Sequence, residues 1–305
     1  MIDLHLHLDG SLTPSEVLAL SRLSGVSLST EKEEELRAMM TFDGRGTLND
    51  YLTKFALPLS VMQSAECVEY AVRSLGNRLF SMGYEYAEVR FAPCLHTERG
   101  ARIEEIAEGA TKGLSGAKMP MGLIFCCMRG RSVEENLRTV ETAAAFKGKG
   151  VVGVDLAGAE ALYPTEHYKD VFALASRLGL NITIHAGEAA GAESVKAALD
   201  FGAKRIGHGV AAAKSEELLR RIKAEKILIE VCPTSNLQTG AVPSISAHPL
   251  ALFLDRGIPF ALCSDNMTVS DTCVSREWEK VKAAFGYEDA LFAELTSVAK
   301  MHRFS

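Results

Sequence analysis

Residues 227–231 read Ile-Leu-Ile-Glu-Val, an apolar run interrupted by one charge and without the alternation of a half-exposed strand. A strand covered by helices on both sides reads this way, which is the habit of parallel sheets. LIFCC at 123–127 and PFALCS at 259–264 have the same character. Extending the reading to the whole chain gives eight such runs: Ile2–His7, Tyr84–Phe91, Gly122–Met128, Val151–Leu156, Asn181–His185, Arg205–His208, Ile227–Cys232 and Ile258–Ser264. Helical spacing fills the intervals. Ser132 stands before the acidic pair Glu134 and Glu135, an N-cap pattern. Thr165–Leu178 and Ser215–Ala224 open in the same way, with Gly179 placed to end the first of them. Eight strands alternating with helices predict an α/β fold, a (β/α)8 TIM barrel. An open doubly wound sheet is the alternative, and it lacks a GxGxxG turn after any strand.

One interval is too long for a single crossover. Residues 8–83 hold helical patterns around Pro14–Leu23, Glu31–Met39, Leu48–Phe55 and Ala65–Met82, with Gly44-Arg-Gly breaking them between the second and third. In a barrel, a helical insertion after the first strand lies over the C-terminal mouth, where active sites are built. It serves there as a structural cap or as a substrate lid. Neither repeats nor a Pro/Gly/Ser-rich linker divide the chain, so residues 1–305 read as one domain.

Composition narrows the function classes. Lys and Arg total 33 against 39 Asp and Glu, a net charge of −6, which argues against a nucleic-acid partner needing clustered cations. The N-terminus lacks the basic-then-apolar pattern of a signal peptide, and no run approaches the roughly 20 apolar residues that span a bilayer. The cysteines are seven, scattered, and never in a CxxC pair. They read as reduced thiols buried as small hydrophobes, and so as a cytoplasmic protein.

The chemistry gathers at the C-terminal ends of the predicted strands. The first ends in His5-Leu-His7, the fifth in His185, the sixth in His208, and Asp265 follows the eighth. A single strand-end histidine is usually a hydrogen-bonded core residue. Four of them on one rim, joined by a carboxylate, call for another explanation. Residues i and i+2 of a strand share a face, so His5 and His7 aim at one point inside the barrel. With His185 and Asp265 they form a nitrogen- and oxygen-rich set suited to zinc, which a catalytic site keeps open to water. Glu188, three residues past His185, is placed to shuttle a proton if a dry pocket raises its pKa. His208 would orient or activate the attacking water. Gly187, Gly207 and Gly209 would let the backbone approach a substrate closely.

Six blocks in order carry a resemblance: HLHLDGS at 5–11, VDLAG at 154–158, IHAGE at 184–188, RIGHG at 205–209, CPTSN at 232–236 and SDN at 264–266. Together they resemble the adenosine deaminase family of metal-dependent hydrolases over nearly the whole chain. HxH alone is shared by many amidohydrolases; the ordered set is specific. The resemblance implies hydrolysis of adenosine or 2′-deoxyadenosine to the inosine compound and ammonia, as in purine salvage. One zinc, or Fe2+ or Mn2+, would be held by His5, His7, His185 and Asp265. Glu188, His208 and Asp265 would be catalytic: Glu188 protonates purine N1, while His208 and Asp265 position the water that adds to C6. Among substrate contacts, the Gly158 N–H would bind N3, and Asp9, with His7 beside it, would take the ribose 5′-hydroxyl. Asn266 stands where many members carry a second Asp toward N7; an amide can still donate there but cannot exchange a proton.

Ser235 and Asn236 of CPTSN could line the pocket, but Thr, Ser and Asn after Pro233 are also ordinary turn formers, and they are read as structural. Met1 opens directly into the first strand and the chain stops at His302-Arg-Phe-Ser, which predicts a less complete barrel floor. The expected partner is a small purine nucleoside, with neither nucleic acid nor membrane, and the sequence leaves the oligomeric state open. Two other readings remain. One is a deaminase of adenine or of a modified or phosphorylated adenosine; the other is a deaminase-like binding protein without turnover.

Overall fold

The computed structural model of the chain describes residues 1–304. Eight parallel strands follow one another around a sheet in sequence order: β1 (Ile2–His7), β2 (Tyr86–Phe91), β3 (Met121–Met128), β4 (Val151–Ala157), β5 (Asn181–Ala186), β6 (Arg205–His208), β7 (Leu228–Val231) and β8 (Phe260–Leu262). Helices fill the intervals, and the result is a (β/α)8 barrel. The ring closes beyond the end of β8 itself. Leu6 bridges to Asp265, where His7 N–H donates to the Asp265 carbonyl at 2.7 Å and Asp265 N–H to the His5 carbonyl at 2.8 Å. The closing seam therefore runs through the backbone of three predicted ligands.

Two of the three predicted helix starts match their signals; Thr165 instead opens a 3-10 turn, Thr165–Tyr168, and the helix itself begins at Lys169 without a side-chain cap. Ser132 caps Val133–Ala145 in a full capping box with Glu135, and the Ser215 hydroxyl accepts from the Leu218 N–H ahead of Glu216–Ala224. The insertion holds one helix more than its pattern predicts, Ala56–Val61 between Leu48–Leu52 and Ala65–Ser81. Pro58 lies at its third residue, where a missing N–H costs no intrahelical bond.

The outward strand faces are apolar, with Val89, Phe125, Leu156, Ile184, Ile206 and Ile229 all in one core with the helices. The inward faces of β2, β4, β5, β6 and β7 are charged or polar: Glu88 and Arg90, Asp155, Thr183, Arg205 and Glu230 are all buried. Arg90 bridges Asp155 (3.0 Å) and Glu230 (2.9 Å), and Arg205 binds Glu88 and Glu230. Each charge finds an opposite partner, which is the condition for burying it. The floor is closed: Phe304 N–H donates to Glu88 at 2.6 Å, and the Phe304 ring lies 3.6 Å from the Arg205 guanidinium. The predicted incompleteness is thus corrected by a terminal aromatic seated on a buried arginine.

Candidate active site

His5, His7, His185 and Asp265 each offer an atom to one point, all four within 4.8 Å of one another, a group able to hold a metal ion. His7 Nε2 lies 3.1 Å from His185 Nε2, and Asp265 Oδ1 lies 3.5 Å from Nε2 of both His5 and His7. The far nitrogens explain which atoms are free. His5 Nδ1 lies 2.7 Å from Glu230 and His185 Nδ1 lies 2.8 Å from Asp155, so both rings keep their proton on Nδ1 and turn an Nε2 lone pair inward. His5 Nε2 is buried without any hydrogen-bond partner. Lone pairs and a carboxylate oxygen facing one another repel unless a cation lies between them. Their separations also suit donors roughly 2.0–2.2 Å from a shared ion. The residues fit a metal.

One of these donors and the neighbouring His208 are presented by unusual backbone. His208 and Asp265 have φ of +63° and +59°. The N–H of the following residue bonds the preceding carbonyl in each case, Gly209 to Gly207 at 2.8 Å and Asn266 to Ser264 at 2.7 Å. These are γ-turns of the strained, positive-φ kind, which turn a strand-end side chain back into the barrel mouth. Gly207 is needed beside them. A Cβ there would stand 3.0 Å from the His5 ring, so its missing side chain admits the imidazole rather than the substrate predicted for it.

The pocket above the donors is lined by His7, Asp9, Gly158, His185, Glu188, His208, Asp265 and Asn266, with His5 buried beneath them. All the residues singled out in the sequence as ligands, catalytic groups or expected substrate contacts therefore converge. Burial, reinforced by the Asp265 charge, pushes the Glu188 carboxyl up to about 8, so it holds a proton at neutral pH; Thr239 donates to it at 2.9 Å. Burial likewise raises Asp9 to about 6. Asn266 commits one amide hydrogen to Asp265 Oδ1 at 2.7 Å, and Gly10 makes room for its side chain: a Cβ there would overlap Asn266 Oδ1.

Several functional side chains went unread in the sequence. Asp155 and Glu230, which set the ligand tautomers, sit inside apolar runs. Glu160 accepts from four successive N–H groups, Gly187 to Ala190, at 2.6–3.0 Å, and so fixes the loop that carries Glu188. The turn-former reading of CPTSN is corrected. Asn236 Nδ2 lies 2.9 Å from His208 Nδ1, and Ser235 lines the pocket. The insertion supplies the outer wall through Leu48, Tyr51, Leu52, Phe55 and Leu59.

The adenosine deaminase family model matches residues 1–304. Adenosine deaminase of Haemophilus ducreyi is 44% identical over 288 residues, 91% of this chain and 84% of that protein. Adenosine deaminase of Enterococcus faecalis is 38% identical over 285 residues, covering 92% and 84%. Among solved structures, adenine deaminase from Arthrobacter aurescens superposes with a TM-score of 0.90 at 27% identity, covering all of this chain and 93% of that one. The apo N6-methyl-AMP deaminase from Arabidopsis thaliana gives 0.87 at 25%, covering 100% and 91%. With a hydrolase of C–N bonds indicated on every side, the chain belongs to the adenosine deaminase family.

Proposed function

We propose that the protein deaminates adenosine or 2′-deoxyadenosine, adding water at C6 and releasing ammonia and the inosine compound. The observation that carries this reading is the four-donor cluster lying beneath a pocket whose wall holds the buried carboxyl of Glu188, pushed up to about 8 by its burial. We assign the donors His5, His7, His185 and Asp265 to a zinc ion, which when bound supplies Lewis-acid activation of the attacking water. Glu188 delivers its proton to N1 as C6 becomes tetrahedral. His208 and Asp265 orient the water on the face of the ring they line. The Gly158 N–H takes N3, Asn266 uses its remaining amide hydrogen toward N7, and the Asp9 carboxyl takes the 5′-hydroxyl.

Specificity for a nucleoside over a nucleotide is supported by the pocket lining, which includes neither Lys nor Arg to neutralise a phosphate. A cytoplasmic setting is supported by seven free cysteines, six of them buried, and no helix among the described residues is long and apolar enough to cross a membrane. The test is ammonia release by zinc-loaded protein from adenosine, 2′-deoxyadenosine, adenine and AMP. One of the two nucleosides should react fastest. Faster turnover of adenine or AMP overturns the substrate assignment, and bound zinc with no ammonia from any of the four favours a binding protein.

A further inference from the structure

Behind His208 runs a chain of hydrogen bonds that the proposed reaction leaves unexplained. Its far end is a backbone amide, so its direction can be worked out. The Leu250 N–H donates to His248 Nδ1 at 3.1 Å. A backbone N–H can only donate, so His248 Nδ1 is the acceptor and the neutral ring carries its proton on Nε2. That Nε2–H lies 3.1 Å from Asn236 Oδ1. The oxygen of Asn236 is thereby fixed, and its NH2 group is turned to His208 Nδ1 at 2.9 Å. His208 Nδ1 must accept, which leaves the ring proton on Nε2, the atom 3.6 Å from Glu188 Oε2 and facing the pocket. No link can be reversed without leaving a buried donor facing a donor, because His208, Asn236 and His248 are all essentially inaccessible to water. Burial also pushes His248 down to about 3, so it stays neutral and keeps the order intact.

We propose that Asn236 and His248 are positioning residues that lock His208 into its Nε2–H tautomer, making it a hydrogen-bond donor to the oxygen that attacks C6 rather than a base that removes its proton. A ring in this state has no lone pair toward the pocket. The lone pair it does have is capped by the Asn236 amide. The water's proton must then leave by another group; Glu188, whose Oε2 lies 3.6 Å from His208 Nε2, can take it once it has given its own proton to N1. The donor role has a second consequence. An Nε2 lone pair this close to His5 and His185, whose ring centroids lie 5.0 and 5.1 Å away, would compete for the ion, and the tautomer removes it.

This inference rests on the proposed deamination for its meaning but not for its measurement, since the tautomer is read without substrate. Long-range nitrogen–proton spectra of zinc-loaded, 15N-histidine-labelled full-length protein report which ring nitrogen of His208 carries hydrogen, with the signal assigned by its loss in a His208→Gln sample. Wild type should show the proton on Nε2. Asn236→Asp replaces the donor with a carboxylate and should move it to Nδ1, with kcat falling about 10- to 100-fold and KM changing less than about threefold. His248→Gln keeps an N–H toward Asn236 and should preserve both the Nε2–H signal and most of the rate, whereas His248→Leu frees the amide to rotate and should give a mixture. A wild-type proton on Nδ1, or an Asn236→Asp protein that keeps Nε2–H and its rate, overturns the proposal. Failure to deaminate adenosine would instead count against the substrate reading and leave the spectra standing.

Discussion

The two sides of the pocket are built on opposite principles. On the barrel side, two of the three ligand imidazoles are tied through their far nitrogens to buried carboxylates, and Arg90 joins those carboxylates to each other. On the insertion side, Leu48, Leu52, Phe55 and Leu59 offer only carbon. That wall is fastened to the barrel at its edges, by Tyr51 to Ser270 at 2.7 Å, Phe42 N–H to the Val269 carbonyl at 2.8 Å and Gln238 Nε2 to the Phe42 carbonyl at 2.9 Å. Charged groups hold an atom to a position, because misplacing a buried charge is costly. Apolar surface excludes water and accepts a shape, at about 25 cal/mol per Å2 covered. On the proposed reading the barrel side would govern the chemical step and the insertion would govern which substrate enters.

Three substitutions would break or sharpen that division. The largest effect is expected from Glu188→Gln, which keeps the shape and the Thr239 contact but removes the deliverable proton. Turnover should drop about 10^2- to 10^4-fold with zinc content unchanged; near-normal kcat would remove Glu188 from the mechanism. Next, Asp155→Asn weakens the group that fixes the His185 tautomer. Zinc affinity measured against a competing chelator should fall about 10- to 100-fold, and an unchanged affinity would show that the buried network serves folding alone. The smallest effect belongs to the roof. Phe55→Ala should raise KM for adenosine by about tenfold or less, roughly 1 kcal/mol of lost apolar contact, with kcat held within about twofold. A kcat loss larger than the KM change would mean that the insertion takes part in the chemical step.

Most of the barrel could be read from the chain because its strands are short apolar runs of one character. The predicted start of β2 is two residues early, at Tyr84, and β8 is shorter at both ends than the run that marks it. The missed helix, Ala56–Val61, was hidden by Pro58, whose place in the first turn is compatible with helix although its type suggests a break. The ligands were legible because strand ends and the i, i+2 rule are local. Glu230 was not. Within ILIEV it reads as an interruption, and its purpose lies with His5, 225 residues away in sequence. Asn236 shows the same limit. Thr, Ser and Asn after a proline describe a turn equally well whether or not the amide has a buried histidine behind it.

Glu160 binds the segment that follows β4 to the loop that follows β5, through four amides and the Ser194 hydroxyl. Gly158, the amide assigned to the purine, is only two residues before it. Anything that shifts one of these loops must carry the other with it. On the assignments proposed above, base recognition and proton delivery would not be retuned separately, and a redesign toward a bulkier ring would have to replace this clasp before it altered the glycine.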